Sequence, residues 1–208
     1  MAVTPEEVGT FERCIAVGGV ALFPADTVYG LATDPDSAEG VRRLYALKGR
    51  RPDRPAAVMF FRLELALAAL PELPWPARGA VERLLPGAVT LLLPNPGRRF
   101  PLACADTPEV LGLRVPRLEG ELAALAGVSW PVLQSSANVS GGEEAQRVDE
   151  VDDSVRAGVD LILDGGELPG TPSTVVDLTA YDREGSFAIV REGAVSGAEL
   201  RRRLGLFG

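Results

Sequence analysis

The chain has 208 residues, 46% of them hydrophobic, a formal net charge of −8, two cysteines and no histidine. That length supports a sizeable apolar core, and no apolar run approaches the roughly 20 residues that a membrane helix needs. The missing histidine excludes a histidine-based triad, a histidine general base and a histidine-built zinc site. The acid excess argues against broad nucleic-acid binding.

Thr4-Pro5-Glu6-Glu7 predicts a helix start, with a threonine cap, proline in the first turn and glutamate three residues on. The helix is expected to run to about Val17 and stop at Gly18-Gly19. Residues 20–23 read as a buried strand that opens at Pro24 into a polar, glycine-bearing loop reaching Leu31. Ser37 caps a second helix whose apolar face holds Val41, Leu44, Tyr45 and Leu47 and which ends near Lys48-Gly49. Strands are expected at 56–61, 88–93, 110–115, 131–134, 159–163, 173–178 and 186–191, with helices at about 77–85, 118–126 and 148–157 and a last one capped by Ser196. Strands and helices interleave, which predicts an α/β protein with a mixed sheet. Met1 to Glu7 lacks the cationic start of a secretion signal, and Cys14 and Cys104 stand outside any motif spacing, as free thiols. Both features fit a cytoplasmic setting.

Three segments carry chemistry. Lys48 is the single lysine beside twenty arginines. A compact ammonium kept where arginine serves everywhere else suggests an anion in a tight pocket, although a helix-end cation on the helix dipole is the plainer reading. It lies in a local basic cluster of Arg42, Arg43, Lys48, Arg50, Arg51 and Arg54, which suits a small polyanion such as ATP. Upstream, the loop Pro24-Ala25-Asp26-Thr27-Val28-Tyr29-Gly30 follows a strand, where ligands bind in open α/β sheets. Downstream, Ser135-Ser136-Ala137-Asn138-Val139-Ser140-Gly141-Gly142 offers hydroxyls and backbone N–H groups to an anion.

Together with Pro172-Ser173-Thr174-Val175-Val176-Asp177 and the ending Arg191-Glu192-Gly193-Ala194, these segments resemble the threonylcarbamoyl-AMP synthases of the YrdC/Sua5/TsaC family over roughly residues 10 to 197. The resemblance implies a YrdC-like twisted mixed β-sheet with flanking helices and a concave basic cleft. It also implies the short, single-domain form over residues 1–208. It further implies condensation of L-threonine, bicarbonate and ATP (with Mg²⁺), release of pyrophosphate, and delivery of the product to the tRNA threonylcarbamoyl-transfer machinery, with at most a weak direct RNA contact and no membrane role. By position, Thr27, Met59, Arg114, Ser136 and Ser173 would contact threonine, with Arg114 on its carboxylate. Lys48, Arg50, Arg54, Asn138 and Arg191 would hold ATP, joined by Ser135 and Gln146. No residue is singled out as catalytic or metal-ligating, since such chemistry rests on positioning and electrostatics.

The sequence departs from the family at Ala25, where many members have threonine, at Met59, where many have histidine, and at Arg54, where a smaller polar residue is usual. Two other readings compete. One is an RNA- or ribosome-binding factor without ATP turnover. The other is a carbamoyl-transfer domain of the hydrogenase-maturation type, which usually sits among acylphosphatase and zinc-finger modules.

Overall fold

The computed structural model describes residues 2–206. Helix α1 (Pro5–Ala16) starts at Thr4, whose hydroxyl accepts from the Glu7 amide while the Glu7 carboxylate accepts from the Thr4 amide, so two otherwise orphaned donors are satisfied reciprocally. It buries Val8, Phe11 and Ile15, and Phe11 stacks against Phe23 and Phe61 at centroid distances of 5.5 and 5.9 Å. Strand β1 (Ala21–Pro24) turns back at once into β2 (Tyr29–Thr33). The expected loop is therefore only a tight turn over 25–28, followed by a fully buried strand. Tyr29, Leu31 and Ala32 belong to the core, and their apolar run follows the polar turn without any break that marks a strand start.

Helix α2 (Ala38–Leu47) is capped by Ser37 and ends at Lys48. Then follow β3 (Ala57–Met59), α3 (Leu63–Ala69), α4 (Trp75–Leu84), β4 (Val89–Pro94), the one-turn α5 (Pro101–Cys104), β5 (Val110–Arg114), β6 (Val132–Ser136), α6 (Asp153–Gly158), β7 (Leu161–Ile162), β8 (Thr174–Asp177), the short α7 (Tyr181–Glu184), β9 (Ala188–Arg191) and α8 (Gly197–Leu204). Helices α3, α5 and α7 go beyond the sequence expectation. The segment expected as a helix at 118–126 is a 3₁₀ stretch over Gly120–Gly127. The acidic helix expected at 148–157 divides into a 3₁₀ turn at Val148–Glu150 and α6, because Asp152 caps a new start by accepting from the Ser154 amide at 2.8 Å.

The nine strands of the described residues form one mixed sheet in the order β7-β1-β2-β6-β3-β5-β4-β8-β9. The pairs β3·β5, β4·β8 and β1·β7 are parallel and the others antiparallel. Alternation gives the central strands two different faces. Val58, Leu113, Leu91 and Val176 point to an apolar side and are completely buried. Their neighbours Ala57, Gly112, Leu92 and Val175 line a cleft on the other side.

Two backbone features shape the cleft wall. A bulge between β8 and β9 sets Val176 opposite Ile189 but Val175 opposite Arg191, so the extra residue swings Arg191 to the cleft face. Beyond it, Gly193 packs against backbone: a Cβ there would lie 2.2 Å from the Pro172 carbonyl oxygen and 2.7 Å from the Thr174 nitrogen.

Gly193→Ala is therefore expected to destabilise the fold by about 1–3 kcal/mol, as overpacking does. Gly79→Ala, in the interior of α4 with open space around a new Cβ, is expected to stabilise it by about 0.5–1 kcal/mol. Thermal melts of both variants should move in opposite directions. A raised or unchanged melting temperature for Gly193→Ala would show that the β9 turn has room to relax.

Candidate active site

The cleft encloses about 460 Å³, within the range usual for small-molecule sites. One row of its floor crosses the sheet through Gln134, Ala57, Gly112, Leu92 and Asp177, and the next through Arg114, Thr90, Val175 and Arg191. Ala57 and Gly112 leave the middle of the first row nearly free of side chain, which makes the floor concave. Arg50, Ser135, Ser136, Glu144 and Ser173 complete the polar lining.

Arg114, at the end of β5, is 3% exposed. Its Nη2 donates to Asp26 Oδ1 at 2.6 Å and to Thr27 Oγ1 at 2.8 Å, and the other Asp26 oxygen accepts from the Arg117 amide at 2.9 Å. Burial lowers the guanidinium's pKa from its ordinary value and the Asp26 charge opposes that. Its Nε is buried without a partner. So is Arg50 Nε, while Arg50 Nη2 donates to the Pro55 carbonyl at 2.6 Å and the guanidinium lies 5.7 Å from the Tyr45 ring centroid. Glu144 Oε2 is the third buried, unpartnered polar atom on this cleft. Ser173 shares a 2.8 Å hydrogen bond with Thr90 between their hydroxyls, and Arg191 Nη2 donates to the Ser173 carbonyl at 2.8 Å.

Lys48 caps α2 and is 1% exposed. Its ammonium donates to the carbonyl of Ser136, to the carbonyl of Asn138 at 2.6 Å and to Asn138 Oδ1 at 3.2 Å. Asn138 Oδ1 also accepts from Ser136 Oγ at 2.5 Å, and its Nδ2 donates to the Gly142 carbonyl at 2.6 Å. All three ammonium donors thus hold the 136–142 loop, and Lys48 does not line the cleft. Burial pushes its pKa down to about 8, against the upward pull of Glu144.

Of the six basic residues clustered in the sequence, only Arg54 is left exposed without an acidic partner among the described residues. Arg42 pairs with Glu39, Arg43 with Asp160 and Arg51 with Asp53, while Lys48 is buried and Arg50 turns into the cleft. Within the cleft three arginines face two carboxylates, Glu144 and Asp177.

The family model described as telomere recombination (Sua5/YciO/YrdC) matches residues 13–193. The chain belongs to this family. Threonylcarbamoyl-AMP synthase of Pyrococcus abyssi is 29% identical over 92% of the chain and 55% of its own length. The human protein of that name is 30% identical over 99% of the chain and 77% of its own length. The structure of P. abyssi Sua5 complexed with L-threonine superposes with a TM-score of 0.83 at 26% identity, covering 99% of this chain and 59% of that one. The chain thus spans only about half to three-fifths of the P. abyssi relative's length.

Of the positions that the Sua5/YciO/YrdC resemblance singles out, Arg50, Arg114, Ser135, Ser136, Ser173 and Arg191 line the cleft. Thr27 and Asn138 stand just behind it as the partners of Arg114 and Lys48. Arg54 is exposed, and what it contributes is its carbonyl, which accepts from Tyr45 Oη at 2.7 Å. Gln146 is also exposed and does not line the cleft, its side chain lying against Gly170. Met59 follows Arg114 in the second row but is fully buried, so it lies beyond the lining. Thr90, Gln134, Glu144 and Asp177 were not singled out from sequence. Thr90 and Gln134 each interrupt an apolar strand with a polar side chain, a signal that was available; Glu144 sits in an acidic loop stretch that gave none.

Asp26→Asn should leave the Arg114 guanidinium buried without its counter-charge. Removing one partner of such a pair costs about 3–5 kcal/mol. Chemical denaturation should show the loss as a lower midpoint at unchanged slope. A midpoint matching that of the unaltered protein would mean that water reaches Arg114 and replaces the carboxylate.

Proposed function

We propose that this cleft binds L-threonine and ATP together, and that the chain condenses them with bicarbonate into threonylcarbamoyl-AMP, releasing pyrophosphate. The product would serve tRNA threonylcarbamoyladenosine modification in the cytoplasm. The observation that carries the reading is the pair of buried, unpartnered arginine Nε groups of Arg50 and Arg114 on one cleft with the Ser173–Thr90 hydroxyl pair. Buried donors left unpaired are costly, and anionic oxygens from a ligand would satisfy both. Family membership and the relatives' names agree with it.

In this reading Arg114 Nε takes the threonine carboxylate, with Thr27 and Asp26 fixing the guanidinium. Ser136 and Ser173 supply hydroxyl contacts. Arg50 and Arg191 neutralise the nucleotide phosphates, and Lys48 keeps the Ser136–Asn138 loop in place to frame them. Magnesium would arrive on the phosphates, as it does at most nucleotide sites. Nothing in the chemistry needs a histidine. Holding three reactants in register and offsetting their charge accounts for the acceleration. The formal net charge of −8 gives no comparable support to an RNA-binding factor.

Mixing the protein with ATP, Mg²⁺, L-threonine and bicarbonate should yield threonylcarbamoyl-AMP by mass spectrometry, and omission of any one reactant should abolish it. Pyrophosphate release independent of threonine would sink the reading.

The pH dependence follows from Lys48. Its folded pKa, about 8, lies below the ordinary lysine value. The ammonium clamp is complete below about pH 8 and weakens as pH rises through that value, so ATP affinity should fall there by at most about tenfold per pH unit. On stability the sign is opposite: the cost of burying this charge is relieved as pH rises from about 8 toward the unfolded value. Lys48→Arg, which keeps its charge, should show weaker binding at neutral pH but no step near pH 8. Calorimetric titrations from pH 7 to 9.5 would decide it, and an identical step in both proteins would assign the titration elsewhere.

A further inference from the structure

Glu144 is an acidic group on the cleft to which the reading above gives no role. It lies in the loop after Asn138, lines the cavity, and makes no hydrogen bond or ion pair, although its Oε2 is buried. Its charge acts on both Lys48 and Arg114, yet the Lys48 donors are spent on loop oxygens and Arg114 pairs with Asp26 instead. A lone carboxylate beside arginines serves poorly for binding anions, since it repels them and is itself left unsatisfied. It does suit a ligand that carries a positive group next to a negative one. Arg114 Nε and Glu144 Oε2 are an unpartnered donor and an unpartnered acceptor of opposite charge, on two residues that line one cavity.

We propose that Glu144 receives the α-ammonium of the amino acid whose carboxylate Arg114 Nε receives, so that the cleft selects a zwitterion. The inference rests on the threonine reading above and deepens it. Glu144 is the group that separates an α-amino acid from the same acid without its amino group, because only the amino acid satisfies the carboxylate. A magnesium ion on the nucleotide is the other cation that enters this cleft. The position beside Arg114 favours the ammonium, since carboxylate and ammonium of one amino acid are joined through a single carbon.

The test is calorimetric titration of the full chain and of Glu144→Gln, a nearly isosteric change on a surface loop, with L-threonine, (R)-3-hydroxybutanoate and Mg²⁺-ATP in turn. Wild type should bind L-threonine more tightly than the hydroxy acid. Glu144→Gln should weaken L-threonine by about tenfold or more, as expected for one charge-assisted hydrogen bond, and leave the hydroxy acid and Mg²⁺-ATP within about twofold. Equal losses for threonine and hydroxy acid would assign Glu144 a structural role in the loop. Loss confined to Mg²⁺-ATP would assign it to the metal. Unchanged threonine affinity would remove it from the site. Each of these overturns the proposal while leaving threonine as a ligand, whereas a wild-type protein that fails to bind threonine would overturn the substrate reading and this inference together.

Discussion

A permanent charge at the centre of a β-sheet is the constraint around which the cleft is organised. Arg114 cannot lose its proton in practice, and at 3% exposure it must find its partners within the protein. Asp26 and Thr27 supply them from the β1–β2 turn, and the second Asp26 oxygen holds the backbone just beyond β5. One carboxylate therefore ties together a tight turn, a central strand and the segment that follows it. Buried pairs of this kind rarely add net stability over apolar packing. What this one supplies is orientation: Nη2 is committed to both partners, and the side chain lines the cavity with its buried Nε unpaired.

Lys48 solves a related problem differently. It has only carbonyl and amide oxygens around it, spread over Ser136 and Asn138. Three rotatable donors on a flexible stem can satisfy such scattered acceptors, where a planar fork cannot. The chain's single lysine is thus explained by acceptor geometry at a loop. The arginines divide in turn between those neutralised on the surface by Glu39, Asp160 and Asp53 and those turned inward. The inward-turned ones, Arg50, Arg114 and Arg191, line the cleft of a protein whose net charge is negative.

The floor depends on what is small. Ala57 and Gly112 open the middle of the sheet, Gly193 lets the β9 connection press against Pro172–Thr174, and a single bulged residue turns Arg191 from the edge toward the cleft. None of these residues makes a strong interaction. They determine where the polar groups of the neighbouring strands end up.

The sequence by itself determined the elements whose signals are local. The threonine capping box of α1, the Ser37 cap of α2 and the Ser196 cap of α8 are complete within four residues, and the apolar strands stand out by composition. The polar clusters around Thr27, Lys48, Ser136 and Ser173 also marked where a site would gather. β2 escaped notice because a two-strand hairpin with an all-buried return strand has no alternation to show. Only the tertiary structure decided the partners: that Asp26 answers Arg114, that Lys48 serves a loop ninety residues away, that Met59 falls beyond the lining and Glu144 within it. Those outcomes depend on strand register and on the path of the connecting loops. Shifting a strand by one residue exchanges its two faces, and no local propensity encodes which distant strand it will pair with.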